Sequence, residues 1–354
     1  MPWFGHEFGE RHIYFPKPNT IFVKLFTNKG ALKVMKTIGV VTTGGDAPGM
    51  NAAIRAVTRI ASFKGLCVLG VERGYEGLIT GTFRQLTPRN VGGIIQLGGT
   101  ILHTARCPEF KTLEGQKKAA KNLAKHNVEG LVVIGGDGSF KGAFELSKIS
   151  NTQMVGIPAT IDNDVYGTDE TIGFDTAVNT AVAEIDKIRD TAISHERIFI
   201  VEVMGRERGF LASTVGVTVG AEIIIAPESE CDLDDIVSII RQNWRKGKRA
   251  GIIVAAEGCG KVSEIAETIE KNTNAEVRLT ILGYVQRGGS PTARSRLLAS
   301  LFAEKAVERL CEERGNCIVG LENGKITSIP LVESCGKSKP IDNSLLKVNE
   351  MLSI

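Results

Sequence analysis

The stretch Thr37-Ile38-Gly39-Val40-Val41-Thr42-Thr43-Gly44-Gly45-Asp46-Ala47-Pro48-Gly49 decides the fold. Its unbroken apolar and β-branched run, Thr37–Thr42, predicts a strand buried on both faces, as in a parallel sheet. A glycine turn follows. Asp46 as N-cap and Pro48 at the first helical position then predict a helix over Pro48–Ser62.

The same strand–turn–helix unit recurs outward along the chain. Further strands are expected at Cys67–Val71, Gly130–Gly135, Met154–Pro158, Ile198–Met204, Glu222–Ala226, Gly251–Glu257 and Thr280–Val285. Further helices are expected at Glu114–His126, Gly142–Ser150, Phe174–Ile193, Leu233–Lys246, Lys261–Asn272 and Thr292–Arg314. Strands alternating with helices over the whole length define a doubly wound α/β fold with parallel-rich sheets. At 354 residues, two domains are expected.

Composition narrows the function classes. A formal net charge of +3 gives no electrostatic case for a nucleic-acid partner. Apolar runs such as Ile223–Ala226 fall far short of the roughly 20 residues a membrane helix needs. The seven cysteines are scattered without CxxC spacing, which argues for thiols in a reducing cytoplasm rather than disulfides or a zinc site. Residues 1–34 differ from the rest, carrying Trp3, Phe4, Phe8, Tyr14, Phe15, Phe22 and Phe26 without a signal-peptide core. The expected natural start is Met35, with residues 1–34 an upstream extension; the alternative is an appendage packed on the surface.

The 40 glycines cluster after strands, where doubly wound sheets bind ligands. Besides Gly44–Gly49, the run Gly135-Gly136-Asp137-Gly138-Ser139 also links a strand to a helix. Glycine lets backbone N–H groups crowd a phosphate at a helix N-terminus. Neither loop is a Walker A or a clean GxGxxG, and each alone fits a tight turn equally well. An Asp within a phosphate loop calls for a cation, and Mg²⁺ held by one or two carboxylates and phosphate oxygens suits it, making Asp137 the metal candidate. Thr160-Ile161-Asp162-Asn163-Asp164 follows another strand. A carboxylate there can orient an attacking hydroxyl and take its proton late; the alternative is turn and cap chemistry. Arg197, Arg206, Arg278 and Arg287 fall where strands are expected to end and read together as a phosphate clamp. These features describe a Mg-nucleotide enzyme acting on a phosphorylated small molecule.

Beyond Met35 the chain resembles the bacterial ATP-dependent 6-phosphofructokinases. The resemblance is carried in order by GVVTTGGDAPGMNAAIR (39–55), ARCPEF (105–110), VIGGDGS (133–139), TIDNDVYGTDETIGFDTA (160–177), VEVMGR (201–206) and LGYVQRGGSP (282–291). It implies two Rossmann-like α/β domains, a cytoplasmic homotetramer, and transfer of the γ-phosphoryl of ATP to the 1-hydroxyl of fructose 6-phosphate, the committed step of glycolysis. Residues 35–173 with 286–337 would form the larger, ATP-binding domain, and 174–285 with 338–354 the smaller, substrate-binding one.

Position by position, the resemblance implies that Gly45, Gly136, Asp137, Gly138 and Ser139 cradle the ATP phosphates, flanked by Tyr75, Arg106 and Cys107. Asp162 is the implied proton acceptor beside Thr160, Ile161 and Asp164. Arg206 would stabilise the transferring phosphoryl, within a substrate loop containing Met204 and Gly205. Glu257 would hold sugar hydroxyls, Arg287 the 6-phosphate, and Arg197 and Arg278 would reach that phosphate across a subunit interface. Arg55, Arg59, Arg189, Glu222, Lys246 and Lys248 match the family's effector pocket, where ADP or GDP activates and phosphoenolpyruvate inhibits; Lys246 and Lys248 also fit a solvated basic turn.

Departures from the pattern are Tyr284, at the substrate position where relatives usually carry a histidine contacting the sugar phosphate, and the less polar segment with Gly92, Gly93 and Leu97. Pyrophosphate-dependent relatives typically have Asp at the position of Gly138 and Lys at that of Ala159. This chain therefore favours ATP as donor, with pyrophosphate the alternative. A kinase of another GGDG type or a catalytically silent sensor would lack the TIDND segment or Arg206.

Overall fold

In a computed structural model, the structure describes residues 35–229, 232–273 and 275–353. The expectation for residues 1–34 lies outside the described residues. The first unit folds as β1 (Thr37–Thr42) followed by α1 (Met50–Phe63). Helix α1 starts later than expected. Gly49, at φ 110°, is its N-cap, with no capping side chain. Asp46 is therefore left free to face the cavity described below.

The chain continues through β2 (Cys67–Val71), α2 (Gly74–Thr80), β3 (Phe83–Leu86), α3 (Leu113–Lys125), β4 (Gly130–Gly135), α4 (Asp137–Ser147), β5 (Gln153–Thr160) and β6 (Ile172–Gly173). Then come α5 (Phe174–His195), β7 (Ile198–Val203), α6 (Phe210–Val219), β8 (Ile223–Ile225), α7 (Leu233–Arg245), β9 (Gly251–Ala256), α8 (Val262–Asn272) and β10 (Val277–Ile281). The chain ends with α9 (Ala293–Cys311), β11 (Cys317–Glu322), β12 (Lys325–Pro330), α10 (Leu331–Gly336) and α11 (Ser344–Leu352).

The larger sheet has the order β12-β11-β5-β4-β1-β2-β3, with β6 beside β5. It is parallel except for its edge pairs β2–β3 and β11–β12. From β1 the chain winds through α1 to β2 on one side, then returns by α3 to β4 on the other side. A crevice therefore opens beyond the carboxyl ends of β1 and β4, the switch point at which such sheets bind ligands. Register aligns Thr42 with Ile134 and Gly135 with Pro158, so the loops after β1, β4 and β5 emerge side by side.

The smaller sheet, β10-β7-β9-β8, is all parallel. One apolar cluster runs beneath both sheets, joining Val40, Ile134 and Phe302 to Val201, Leu211 and Val254. Separate clusters cover the far face of each sheet, beneath α2, α3 and α4 for the larger and beneath α7 and α8 for the smaller. Continuous burial on both faces accounts for the unbroken Val/Ile runs in β4 and β9.

Some expected elements are corrected. Helix α4 begins at Asp137 rather than Gly142, because Gly138 is tolerated in its first turn. The strand expected at Thr280–Val285 is instead β10, ending at Ile281, and residues 283–287 form a 3-10 turn that exposes Tyr284. No described helix is long and apolar enough to cross a membrane. The described cysteines are free thiols.

Candidate active site

A cavity of about 350 Å³ lies at the switch point and is lined from both sheets. Its walls include Gly45, Tyr75, Arg106, Cys107, Gly136, Asp137, Gly138, Ser139, Thr160, Ile161, Asp162, Asp164, Arg206 and Arg287. Sequence reasoning singled out all of these. It placed Thr43, Gly44 and Asp46 in the first glycine loop, with Asp46 also read as a helix cap, and it missed Ala105, Pro108 and Lys111 as lining residues.

The two glycine loops brace each other. The Ser139 hydroxyl donates to the Thr43 carbonyl at 3.1 Å, and Thr43 N–H donates to the Ile134 carbonyl at 3.0 Å. A Cβ on Gly135 would lie 2.4 Å from Ser139 Oγ and 2.6 Å from the Thr43 carbonyl, so the position requires glycine. A Cβ on Gly138, by contrast, would meet nothing within 4 Å and would point into open space. The Tyr75 ring stacks on Phe110 at 3.9 Å and its hydroxyl donates to the Ser139 carbonyl. Tyr75 thus props up the loop as well as lining the cavity, and burial pushes its phenol pKa far up.

Asp162 is 2 % exposed. Its Oδ2 accepts from Thr160 Oγ1 at 3.2 Å and faces Arg206 Nε at 3.1 Å, while Oδ1 is buried without a partner. Burial raises the Asp162 pKa against the opposing pull of Arg206, Arg287 and Thr160. Burial also raises that of Asp164, helped by the charges of Asp162 and Asp137. Asn163, at φ 53°, turns the chain here and bonds Thr171 N–H and the Asp169 carbonyl.

Arg206 comes from the other sheet, on the loop after β7, and sits at φ 54° after Gly205 at φ 135°. This left-handed backbone costs on the order of 1–3 kcal/mol and persists only where the surroundings fix it. Here Glu257 Oε1 accepts from Arg206 N–H at 2.5 Å, and the Arg206 carbonyl lies 2.3 Å from where a Cβ on Gly258 would sit. Met204 is buried behind the loop. Arg287 Nη1 lies 3.9 Å from Asp46 Oδ1 and fills the space that a Cβ on Gly45 would need.

Other candidates lie elsewhere. Arg197 and Arg278 are not at strand ends near the cavity. They stand just before β7 and at the second residue of β10, where both pair with Glu276, Arg197 at 2.8 Å. Their strands run away from them towards Arg206, which puts the length of the sheet between them and the cavity. Tyr284 is 79 % exposed, with its ring 5.8 Å from the Arg287 guanidinium. Glu222 pairs with Lys248 at 3.1 Å, and Glu222 and Lys246 line a separate open hollow between α7 and α11. Arg189 donates to the Val219 carbonyl. Arg55 and Arg59 lie on α1, where Arg59 donates to the Pro88 carbonyl at 3.3 Å.

Two glycine loops and a buried carboxylate on one sheet, facing an arginine from a second sheet, are the arrangement that phosphoryl transfer needs. Residues 37–310 match the phosphofructokinase family. The chain belongs to this family. It is 52 % identical over 320 residues to the ATP-dependent 6-phosphofructokinase of Halalkalibacterium halodurans, covering 90 % of this chain and 100 % of that one. Among solved structures it superposes on phosphofructokinase from Saccharomyces cerevisiae with a TM-score of 0.80 and 36 % identity, covering 85 % of this chain and 45 % of the longer yeast chain. A pyrophosphate-dependent phosphofructokinase from Marinobacter aquaeolei shares the fold, with a TM-score of 0.79 at 19 % identity over 89 % of this chain and 88 % of that one.

Proposed function

We infer that this chain transfers the γ-phosphoryl of ATP to the 1-hydroxyl of fructose 6-phosphate. One observation carries the reading: the buried Asp162 carboxylate, with Oδ1 free, lies between the glycine loops and Arg206. The larger sheet then serves the nucleotide and the smaller one the sugar phosphate, following the domain bounds expected from sequence.

On this reading Asp162 orients the sugar hydroxyl and accepts its proton through Oδ1, while Thr160 fixes Oδ2. A raised pKa makes the carboxylate a stronger base for a proton that leaves late. Arg206 meets the charge growing on the phosphoryl oxygens. Glu257, already holding Arg206 N–H, offers its second oxygen to sugar hydroxyls. Arg287 takes the 6-phosphate, and Arg197 and Arg278 serve the same phosphate in a neighbouring subunit of a homotetramer. The position of this pair, far along the sheet from the chain's own cavity, supports that assignment.

Asp137 and Asp164 also fit Mg²⁺ bound with the nucleotide: the charges of Asp162 and Asp137 both act against an ionised Asp164, and Lys141 Nζ is the present counter-charge of Asp137 at 2.7 Å. Asp137 would hold the ion, which when bound neutralises phosphate charge. The effector residues divide between the Glu222–Lys248 region and α1, so one pocket for ADP, GDP or phosphoenolpyruvate would draw on two copies of the chain. On this reading the enzyme works in the cytoplasm, which the free, scattered cysteines support.

A coupled assay with fructose 6-phosphate, Mg²⁺ and either ATP or pyrophosphate, repeated with ADP and phosphoenolpyruvate, tests the reading. Turnover with ATP and none with pyrophosphate is expected; the reverse would reassign the donor.

Gly138 gives a sharper test. Because a Cβ there meets no protein atom, Gly138→Asp is expected to fold normally. Its carboxylate would enter the phosphate space beside Asp137 and lower kcat/KM for ATP at least roughly a hundredfold. Unchanged ATP kinetics would refute the assignment of Gly138 as a determinant of donor choice. Ala159 is fully buried, so adding Ala159→Lys to Gly138→Asp would strain the core and cloud the result.

Tyr284 cannot supply positive charge at neutral pH. Tyr284→His is expected to lower KM for fructose 6-phosphate as pH falls below about 6.5, by up to roughly tenfold. A KM that stays flat from pH 6 to 8 would remove Tyr284 from the phosphate site.

A further inference from the structure

The segment joining α10 to α11 touches both loops that meet in the cavity. On the larger-sheet side, Lys339 Nζ donates to the Asp169 carbonyl at 2.9 Å, in the loop that begins at Asp162. Lys337 Nζ lies 5.1 Å from the Tyr166 ring in the same loop, and Ser334 Oγ donates to the Tyr166 carbonyl at 3.0 Å. On the smaller-sheet side, Arg208 of the Arg206 loop donates to the Lys339 carbonyl. The Lys339 ammonium and the Arg208 guanidinium share the Phe210 ring, at 5.0 and 5.8 Å from its centroid. Glu228 completes the anchor, accepting from Gly209 N–H at 3.0 Å and lying 3.7 Å from Arg208 Nε.

Besides the direct Arg206–Asp162 contact, Lys339 ties the two loops from behind: its side chain holds one and its carbonyl holds the other. The Arg206 loop has reason to need such a tie, because its left-handed backbone is held only by its surroundings. We propose that Lys339 and Arg208 form a latch that sets the Arg206 loop against the Asp162 loop, and that both are positioning residues for phosphoryl transfer. This rests on the catalytic reading of Asp162 and Arg206 given above.

The latch is built to weaken in alkali. Lys339 is half-buried, and burial lowers its pKa to about 8 despite the charges of Asp169, Asp164 and Glu170 facing it. Among cations, Arg208 shares the Phe210 ring with it, and Lys337 stands two residues before it in the chain. Its folded pKa lies below the usual lysine value, so the ammonium is lost as pH rises through about 8. The cation–π contact with Phe210 is lost with it.

The test uses the full chain with Lys339→Met and Lys339→Arg. Lys339→Met is expected to lower kcat roughly tenfold, through misplacement of Arg206, with KM changed by less than about twofold. Amide exchange should rise in residues 164–170 and 204–209 and stay unchanged in β1 and β4, which also reports that the core is folded. Wild-type kcat should fall between about pH 7 and 9. Lys339→Arg, charged throughout, should keep most of the activity at pH 7 and flatten that fall. Unchanged loop exchange and kcat in Lys339→Met, or an alkaline fall that persists in Lys339→Arg, would overturn the latch. If the wild-type protein fails to phosphorylate fructose 6-phosphate, the catalytic reading fails, and the exchange measurements still decide whether Lys339 ties the loops.

Discussion

Replacing Asp162 with asparagine is expected to lower kcat by about 10²- to 10⁴-fold, the usual range for loss of a general base, with little change in KM for either substrate. The reason is positional. Asparagine preserves the shape and the Thr160 contact, so the cavity and its phosphate contacts persist. What is lost is the only feature that matters late in transfer, a carboxylate oxygen able to take the proton. Stability should move the other way. Burial raises the Asp162 pKa, so the folded protein favours the neutral acid, and the ionised form becomes a cost to the fold as pH rises through that raised value. At pH 7 the asparagine variant should therefore melt no lower than the wild type. A buried charge that costs stability and supports catalysis is the expected compromise at an active site. Steady-state kinetics with calorimetry distinguish the outcomes. A loss confined to KM, or a melting temperature several degrees lower, would mean that Asp162 holds the loop together rather than moving a proton.

The residues that made this site legible are those whose local pattern and tertiary role coincide. Thr37–Thr42, Cys67–Val71 and Gly130–Gly135 were readable to the residue, because strands buried on both faces must be continuously apolar and are bounded by glycine. The loops after β1, β4 and β5 were readable because glycine and aspartate in a strand-to-helix turn serve both backbone and ligand. Four kinds of feature were hidden. Arg197 and Arg278 resembled clamp residues at strand ends, but adjacency in sequence does not say which end of a strand carries a residue, and both lie at the amino ends of the smaller sheet. Asp46 had the composition of an N-cap, and only the left-handed turn at Gly49 moves the helix start beyond its reach. The contacts of Lys339 join residues some 130 and 170 positions apart, and nothing local in Lys337–Pro340 marks them. The antiparallel edges β3 (FRQL) and β12 (KITSIP) escaped notice because edge strands that are mostly exposed or half-exposed carry no continuous apolar run.

Arg206→Leu is expected to reduce kcat by roughly 10²- to 10³-fold, the range seen when one donor to a developing oxyanion is removed. It should also leave a signature that simple loss of a donor would not. The Arg206 guanidinium is the largest influence holding the Asp162 pKa down against burial. Without it the Asp162 pKa rises further, so the acid limb of the pH–rate profile should move to higher pH. The sign follows from the charge: removing a nearby cation disfavours the carboxylate, and the base form is then populated only in more alkaline solution. Arg206→Lys restores a charge but not the planar fork that faces Asp162 Oδ2 at 3.1 Å. It should bring the acid limb back most of the way while recovering little of kcat. The two residues also act on one step, so their losses should not add. Asp162→Asn combined with Arg206→Leu should fall well short of the product of the single effects, because once the proton acceptor is gone the arginine has a weaker transition state to stabilise. Strictly additive losses, with an acid limb that stays in place, would mean that Arg206 binds substrate independently of Asp162, and the pairing of the two sheets' loops across the cavity would then be a feature of folding alone.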